Sequence, residues 1–162
     1  MNNVTINADG IYLPSWSSDV CCFALKVLDE IKRRNWELSI LFCDDKKIAE
    51  LNSQYRNKNE PTDILSFPLG ETIQNENKSV YLPGDIVISL DTLAENSKYF
   101  NTPKDEELRR LIIHGILHLD GMDHETLDEN EPMLVLQEEL LKKLGKEHII
   151  TGDMEEKSES SI

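Results

Sequence analysis

The run Leu108, Leu111, Ile112, Ile113, Ile116 and Leu117 covers most of the circumference of an α-helix. A helix apolar on so many sides has to be buried on most of them, so the rest of the chain must wrap around it. Thr102-Pro103 supplies its start, a capping hydroxyl and then a proline at the first helical position. Asp105, Glu106 and Glu107 suit the positive end of its dipole. His114 and His118 interrupt the apolar surface one turn apart, so both imidazoles share a face. Gly121 can end the helix in the left-handed conformation of a C-terminal cap and let the chain fold back with His124.

The chain holds four histidines, so three of them fall in one short window. One histidine on a buried helix ordinarily hydrogen-bonds in the core; three at these offsets, with a glycine between the second and third, fit a mononuclear metal site. Three protein ligands leave a fourth position open, which suits a catalytic zinc better than a closed structural one. Imidazole also suits nickel, copper and iron, and spacing does not choose among them. The offsets match the zinc-peptidase pattern H-E-x-x-H-x-x-G-x-x-H. Gly115 stands where the general base of a peptidase would be, which counts against peptide hydrolysis.

The other segments alternate in type. Val4–Ala8 reads as a short strand. Ser17 or Ser18 can cap a helix carrying Val20, Ala24, Val27, Leu28 and Ile31 to about Arg34. Trp36 to Phe42 reads as a half-buried strand, and Asp44 or Asp45 can cap a short helix with Ile48, Leu51 and Tyr55 on one face. Thr62–Phe67 reads as a strand, Gly70–Pro83 as a polar, mobile loop, and Asp85–Ser89 as a buried strand. A helix follows over Leu90–Phe100, and a last one carries Met133, Leu136, Leu140, Leu141 and Leu144 and stops at Gly145. These segments predict an α+β fold: a single domain over residues 1–150, with a small mixed sheet packed by helices and the metal site on a central helix. Residues 151–162 read as an acidic, disordered tail.

Composition bounds the partners. No window approaches 18 apolar residues, and the N-terminus lacks the basic start and apolar run of a secretory signal. The odd count of three cysteines argues against a disulfide framework, so a reducing, cytoplasmic setting is expected. Cys21, Cys22 and Cys43 read as small core residues, and Trp16 and Trp36 as packing residues. The net charge of −14 repels polyanions and counts against generic nucleic-acid binding, DNA included. Asp153, Glu155, Glu156 and Glu159 in the tail account for only a small part of it. Lys32-Arg33-Arg34 and Arg109-Arg110 are the densest basic runs; such runs are ordinarily solvated faces, but in so acidic a chain they are the places where RNA or a ribosomal partner can dock.

The run His-Gly-Ile-Leu-His-Leu-Asp-Gly-Met-Asp-His resembles the signature of the YbeY family, bacterial endoribonucleases of ribosomal RNA maturation. Leu51–Lys58 followed by Pro61–Pro68 is similar to the family's second motif, and Gly84–Ser89 to its third. Order and separation fit as well, so the resemblance spans roughly residues 36–145. It implies a zinc-dependent, single-strand-preferring endoribonuclease. The expected roles are maturation of ribosomal RNA ends, chiefly of the small subunit, and ribosome quality control. It implies His114, His118 and His124 as ligands and Arg56 as the functional arginine, whose guanidinium can grip phosphate bidentately. The sequence departs from the family at Met122, where an aromatic residue is common, and at Asp120, where an apolar one is usual.

Asp63, Ser66 and Asp85 read either as cleft lining or as turn and sheet partners. Asp85, after Gly84, is the preferred candidate for orienting a ligand imidazole or moving a proton, with Asp123 as another. His148 lies past the last helix and reads as unrelated to the metal. The nucleophile stays open between a hydroxide supplied at the metal and the RNA's own 2′-hydroxyl. Two other function classes stand beside the ribonuclease. One is a non-catalytic ribosome assembly factor with a structural zinc, whose acidic surface meets basic ribosomal proteins; the net charge favours it. The other is a metallohydrolase of a different substrate, which Gly115 disfavours.

Overall fold

The structure, a computed structural model, describes residues 1–151. The acidic tail read from the sequence therefore lies, Thr151 apart, outside the described residues.

Four strands form one mixed sheet in the order β1-β2-β4-β3. β1 (Asn3–Asp9) and β2 (Glu37–Cys43) run parallel, joined by the crossover helix α1 (Ser17–Glu30). β2 also runs parallel to β4 (Lys78–Ser89), while β3 (Ile64–Asn75) returns antiparallel along β4. Side chains alternate across a strand, so Leu38, Ile40, Phe42, Ile86 and Ile88 share one face. They meet Val20, Val27, Ile112 and Ile116, from α1 and from α4 (Lys104–Leu119), in the main core. On the opposite face Cys43, Leu65 and Val87 pack with Ile48 of α2 (Asp45–Arg56) in a smaller cluster. α3 (Leu90–Tyr99) packs on α4, as does α5 (Pro132–Lys143), whose Met133, Leu140 and Leu141 complete the core. The architecture is the α+β one expected, with α4 buried at its centre. Among the described residues no helix is long and apolar enough to cross a membrane.

Gly70–Pro83 is not a loop. β3 and β4 continue through it as a hairpin closed by Glu76 and Asn77, whose φ values of +43° and +72° match the positive pair of a tight primed turn. The arm lacks an apolar alternation because most of it is exposed on both faces. At its root β3 bulges between Pro68 and Glu71. Opposite the bulge Gly84 has φ +134°, and a Cβ there would lie 2.1 Å from the Phe67 carbonyl oxygen, so no other residue fits.

The starts of α1, α2 and α4 are capped in different ways. Asp44 caps α2, accepting from the Lys47 N–H at 2.9 Å. Neither Ser17 nor Ser18 caps α1: Trp16 holds the cap position, and the Ser17 hydroxyl donates to the Pro14 carbonyl instead. Thr102 does not cap α4 either; its hydroxyl donates back to the Phe100 carbonyl, and Pro103 takes the cap position. Trp16 and Trp36 are buried as packing residues, and the cysteines divide into buried Cys43, half-buried Cys21 and exposed Cys22. Cys22 is thus not a core residue.

Candidate metal centre

α4 lies hard against the sheet at Gly115. A Cβ there would stand 2.8 Å from Ile86 Cδ1 and 3.1 Å from Ile64 Cδ1. The position that carries a glutamate in zinc peptidases therefore faces packed aliphatic carbon, and the close approach seats the neighbouring His114 at the edge of the core.

The helix ends as the sequence leads one to expect. Gly121 takes φ +95°, its N–H donates to the His118 carbonyl at 3.0 Å, and the Met122 N–H reaches the Leu117 carbonyl at 3.0 Å. This pair of bonds is a Schellman closure. It reverses the chain, so that His124 comes back over the last turn of α4.

The three imidazoles then converge, with ring centroids 4.6, 5.3 and 5.5 Å apart. Each Nδ1 faces an oxygen: Gln137 Oε1 at 2.5 Å for His114, the Met122 carbonyl at 3.2 Å for His118, the Thr126 carbonyl at 2.8 Å for His124. Those oxygens only accept, so each Nδ1 carries its hydrogen and each Nε2 keeps a lone pair. The Nε2 atoms of His114 and His118 stand 3.1 Å apart. Two lone pairs at that distance repel unless a cation lies between them. A tetrahedral zinc at its usual distance from nitrogen sets its ligand atoms about 3.3 Å apart. One ligand atom from each of the three histidines lies within 4.8 Å of the others. The donor set therefore fits a single transition-metal ion.

Burial lowers the proton affinity of His114, against the Gln137 hydrogen bond, which raises it. Burial also lowers that of His118, helped by the neighbouring His114 ring. Both shifts favour the neutral imidazole, the form that binds metal.

A cleft of about 660 Å³ opens on the site, lined by Arg56, Ser66, Pro68, His118, Met122, Asp123 and His124 among others. Arg56 arrives as the last residue of α2, where Asn57 takes the left-handed conformation (φ +58°) and stops the helix. It is exposed and makes no ion pair among the described residues. Ser66 enters from the same face of β3 as Ile64. Asp123 Oδ1 accepts from the His124 N–H and lies 3.9 Å from His118 Nδ1. Asp63 is tied to Asn96 at 3.4 Å beside α4.

The structure brings together His114, His118, His124 and Arg56. It does not bring in Asp85, the residue preferred from sequence for orienting an imidazole. Asp85 is exposed on the other face of the sheet, in a cleft with Ser39, Lys47 and Tyr55. The strand alternation that buries Ile86 and Ile88 toward α4 turns Asp85 away from it. His148 is remote as expected, hydrogen-bonded to Asp105 at 2.9 Å. The residue that sequence reading passes over is Gln137. Its signal was a lone polar side chain at helical spacing from Met133 and Leu140, inside an apolar stripe.

Fold and site together define an α+β protein with a three-imidazole centre at the end of a buried helix, open to a cleft with an arginine on its wall. The family model described as Endoribonuclease YbeY matches residues 8–145. The chain is 50% identical to the YbeY endoribonuclease of Treponema denticola over 120 residues, 74% of this chain and 77% of that one. It is 42% identical to that of Treponema pallidum over 142 residues, covering 87% and 89%. It also superposes on the solution structure of the Thermotoga maritima protein TM1509 with a TM-score of 0.60 at 28% identity, covering 88% and 90%. The chain belongs to the YbeY family of endoribonucleases, hydrolases of RNA phosphodiester bonds.

Proposed function

We propose that this chain is a zinc-dependent, single-strand-preferring endoribonuclease of the cytoplasm, folded as one domain over residues 1–150. Its substrate is ribosomal RNA, at the maturing ends of the small-subunit molecule and in ribosome quality control. The observation that carries the reading is the convergence of three Nε2 lone pairs on a cleft whose wall also holds Arg56. A bound zinc supplies Lewis acidity toward a phosphoryl oxygen. Arg56 grips the phosphate and offsets the charge that develops on it during cleavage. Met122 and Pro68 give the cleft an apolar wall against which an unpaired nucleotide can rest. Attack by water and attack by the adjacent 2′-hydroxyl both fit this cleft.

The charge pattern favours a second reading. Arg33 and Arg34 pair with Asp120 and Asp29, Arg109 and Arg110 with acids of their own helix, and Arg110 also with Glu138 of α5. The basic runs are therefore largely consumed internally, and at −14 the surface does not steer RNA inward. Such a protein suits docking on basic ribosomal proteins that bring the RNA with them, or a non-catalytic assembly factor with a structural zinc.

The deciding experiment is cleavage of a labelled single-stranded RNA by zinc-loaded protein, with His118→Ala purified in parallel. Cleavage by the unmutated protein alone supports the enzyme. Zinc uptake with no cleavage, even on pre-ribosomal particles, supports the assembly factor.

A further inference from the structure

Of the three imidazoles, His118 and His124 lean on backbone carbonyls, and His114 leans on the side chain of Gln137. A carbonyl can only accept. A glutamine amide can accept through Oε1 or donate through Nε2, and the wrong face would hold His114 with its hydrogen on Nε2, pointed at the metal position. Something has to set the amide.

The structure supplies it. Gln137, buried on α5, donates from Nε2 to Glu138 Oε2 at 3.2 Å. Glu138 in turn receives Arg110 Nε at 3.0 Å on Oε2 and Nη2 at 3.2 Å on Oε1. Arg110 sits on α4 one turn before His114 and is further held by Glu106 and Glu107. Every link has a forced polarity. A guanidinium only donates and a carboxylate only accepts, so the amide must give its NH₂ to Glu138 and its oxygen to His114.

We propose that Gln137 is the positioning residue of the metal centre and that the Arg110–Glu138 pair fixes its amide. An arginine on the ligand helix thereby decides whether the His114 Nε2 that faces the ion is free of its hydrogen. The inference rests on the reading that the three histidines hold a metal.

The test uses full-length protein and zinc competition against a chromophoric chelator, with ¹⁵N shifts of the His114 ring in the metal-free protein. Gln137→Leu should weaken zinc binding about 10- to 100-fold, the usual loss when the partner of a ligand imidazole is removed. It should also mix the two His114 tautomers. Gln137→Glu has only acceptors, so it needs no orienting and should restore binding and tautomer. Glu138→Ala should cost a smaller factor in the natural background and nothing in the Gln137→Glu background. That dependence separates positioning from a packing role, which would cost the same in both. Gln137→Leu with natural zinc affinity and an unmixed tautomer overturns the proposal. So does a Glu138→Ala loss that persists with Gln137→Glu. If the unmutated protein takes up no zinc, the metal reading itself falls, and that failure is seen without any variant.

Discussion

Arg33 holds Asp120 through two parallel hydrogen bonds, Nε to Oδ1 at 2.6 Å and Nη2 to Oδ2 at 2.9 Å. The pair ties the segment after α1 to the residue between the end of α4 and Gly121. Asp120 thus gives the turn a tether. Arg33 is 44% exposed, so the pair contributes no more than about 1 kcal/mol to stability. Its effect should fall on the turn that delivers the Met122 carbonyl and His124. Arg33→Ala is expected to leave thermal unfolding nearly unchanged while weakening zinc binding several-fold. Arg33→Lys should not restore it, since an ammonium cannot make the two-pronged contact. Unchanged zinc affinity in Arg33→Ala would show that the turn holds itself.

Asp105 does more than favour a helix dipole. It is buried and accepts from Arg109 Nε at 2.9 Å, His148 Nδ1 at 2.9 Å, and the N–H groups of Ile149 and Ile150 at 2.6 and 2.7 Å. Burial pushes its carboxyl up, but the bonds from His148, Ile150 and Ile149 and the Arg109 charge outweigh it and hold the group below the ordinary range. A carboxyl with a folded value below its unfolded one binds protons first in the unfolded chain. Its contribution is complete above about pH 4 and disappears as pH falls through the folded value. Asp105→Asn leaves the buried Arg109 without its counter-charge and should cost about 3–5 kcal/mol at neutral pH in urea unfolding. The variant should also lose part of the acid-side decline. An equally steep decline below pH 4 would place the acid sensitivity in other groups.

At Gly115 two effects oppose each other. Alanine gains about 1 kcal/mol of helix propensity, while crowding Ile86 and Ile64 costs about 1–3 kcal/mol. Gly115→Ala is expected to be destabilised by roughly 1 kcal/mol in urea unfolding, the difference of those two terms. Gly115→Glu should fail to fold rather than acquire peptidase activity, because its carboxylate would be driven into aliphatic core with no partner. Soluble, folded Gly115→Glu that cleaves peptides would overturn this account of the glycine.

The sequence made the centre legible because its parts are local. His114, His118, Gly121 and His124 lie within one helix end, and helix periodicity with one left-handed residue fixes their geometry. The strands were legible where they are buried, as in Ile86-Val87-Ile88. The hairpin arm was not, since most of its residues are exposed and carry no hydrophobic pattern. Asp85 was misplaced for a related reason. Neighbouring Gly84 and Asp85 say nothing about which face of the sheet points to α4, and a one-residue step reverses the answer. Gln137 lies far from the histidines in sequence and meets them only through the packing of α5 on α4.

Among the described residues Arg56 is the only arginine on the wall of the cleft, and the left-handed Asn57 next to it ends α2 there. It is not one of the residues that could hold the metal, so its removal should leave the metal in place. Arg56→Ala is expected to keep natural zinc stoichiometry and to change stability by no more than about 0.5 kcal/mol, as for an exposed residue. Cleavage is another matter. A guanidinium aimed at a phosphate gains most when charge builds on the oxygens, so the loss should appear in kcat, by about 10²- to 10³-fold. Arg56→Lys keeps the charge but not the paired donors and should recover only part of the rate. The check is single-turnover cleavage of a labelled single-stranded RNA by zinc-loaded variants, with zinc content measured on the same samples. A loss confined to KM would mean that Arg56 only holds the substrate. Cleavage by Arg56→Ala at the natural rate would remove the residue from the reaction and leave the three histidines as the whole of the chain's chemistry at this site.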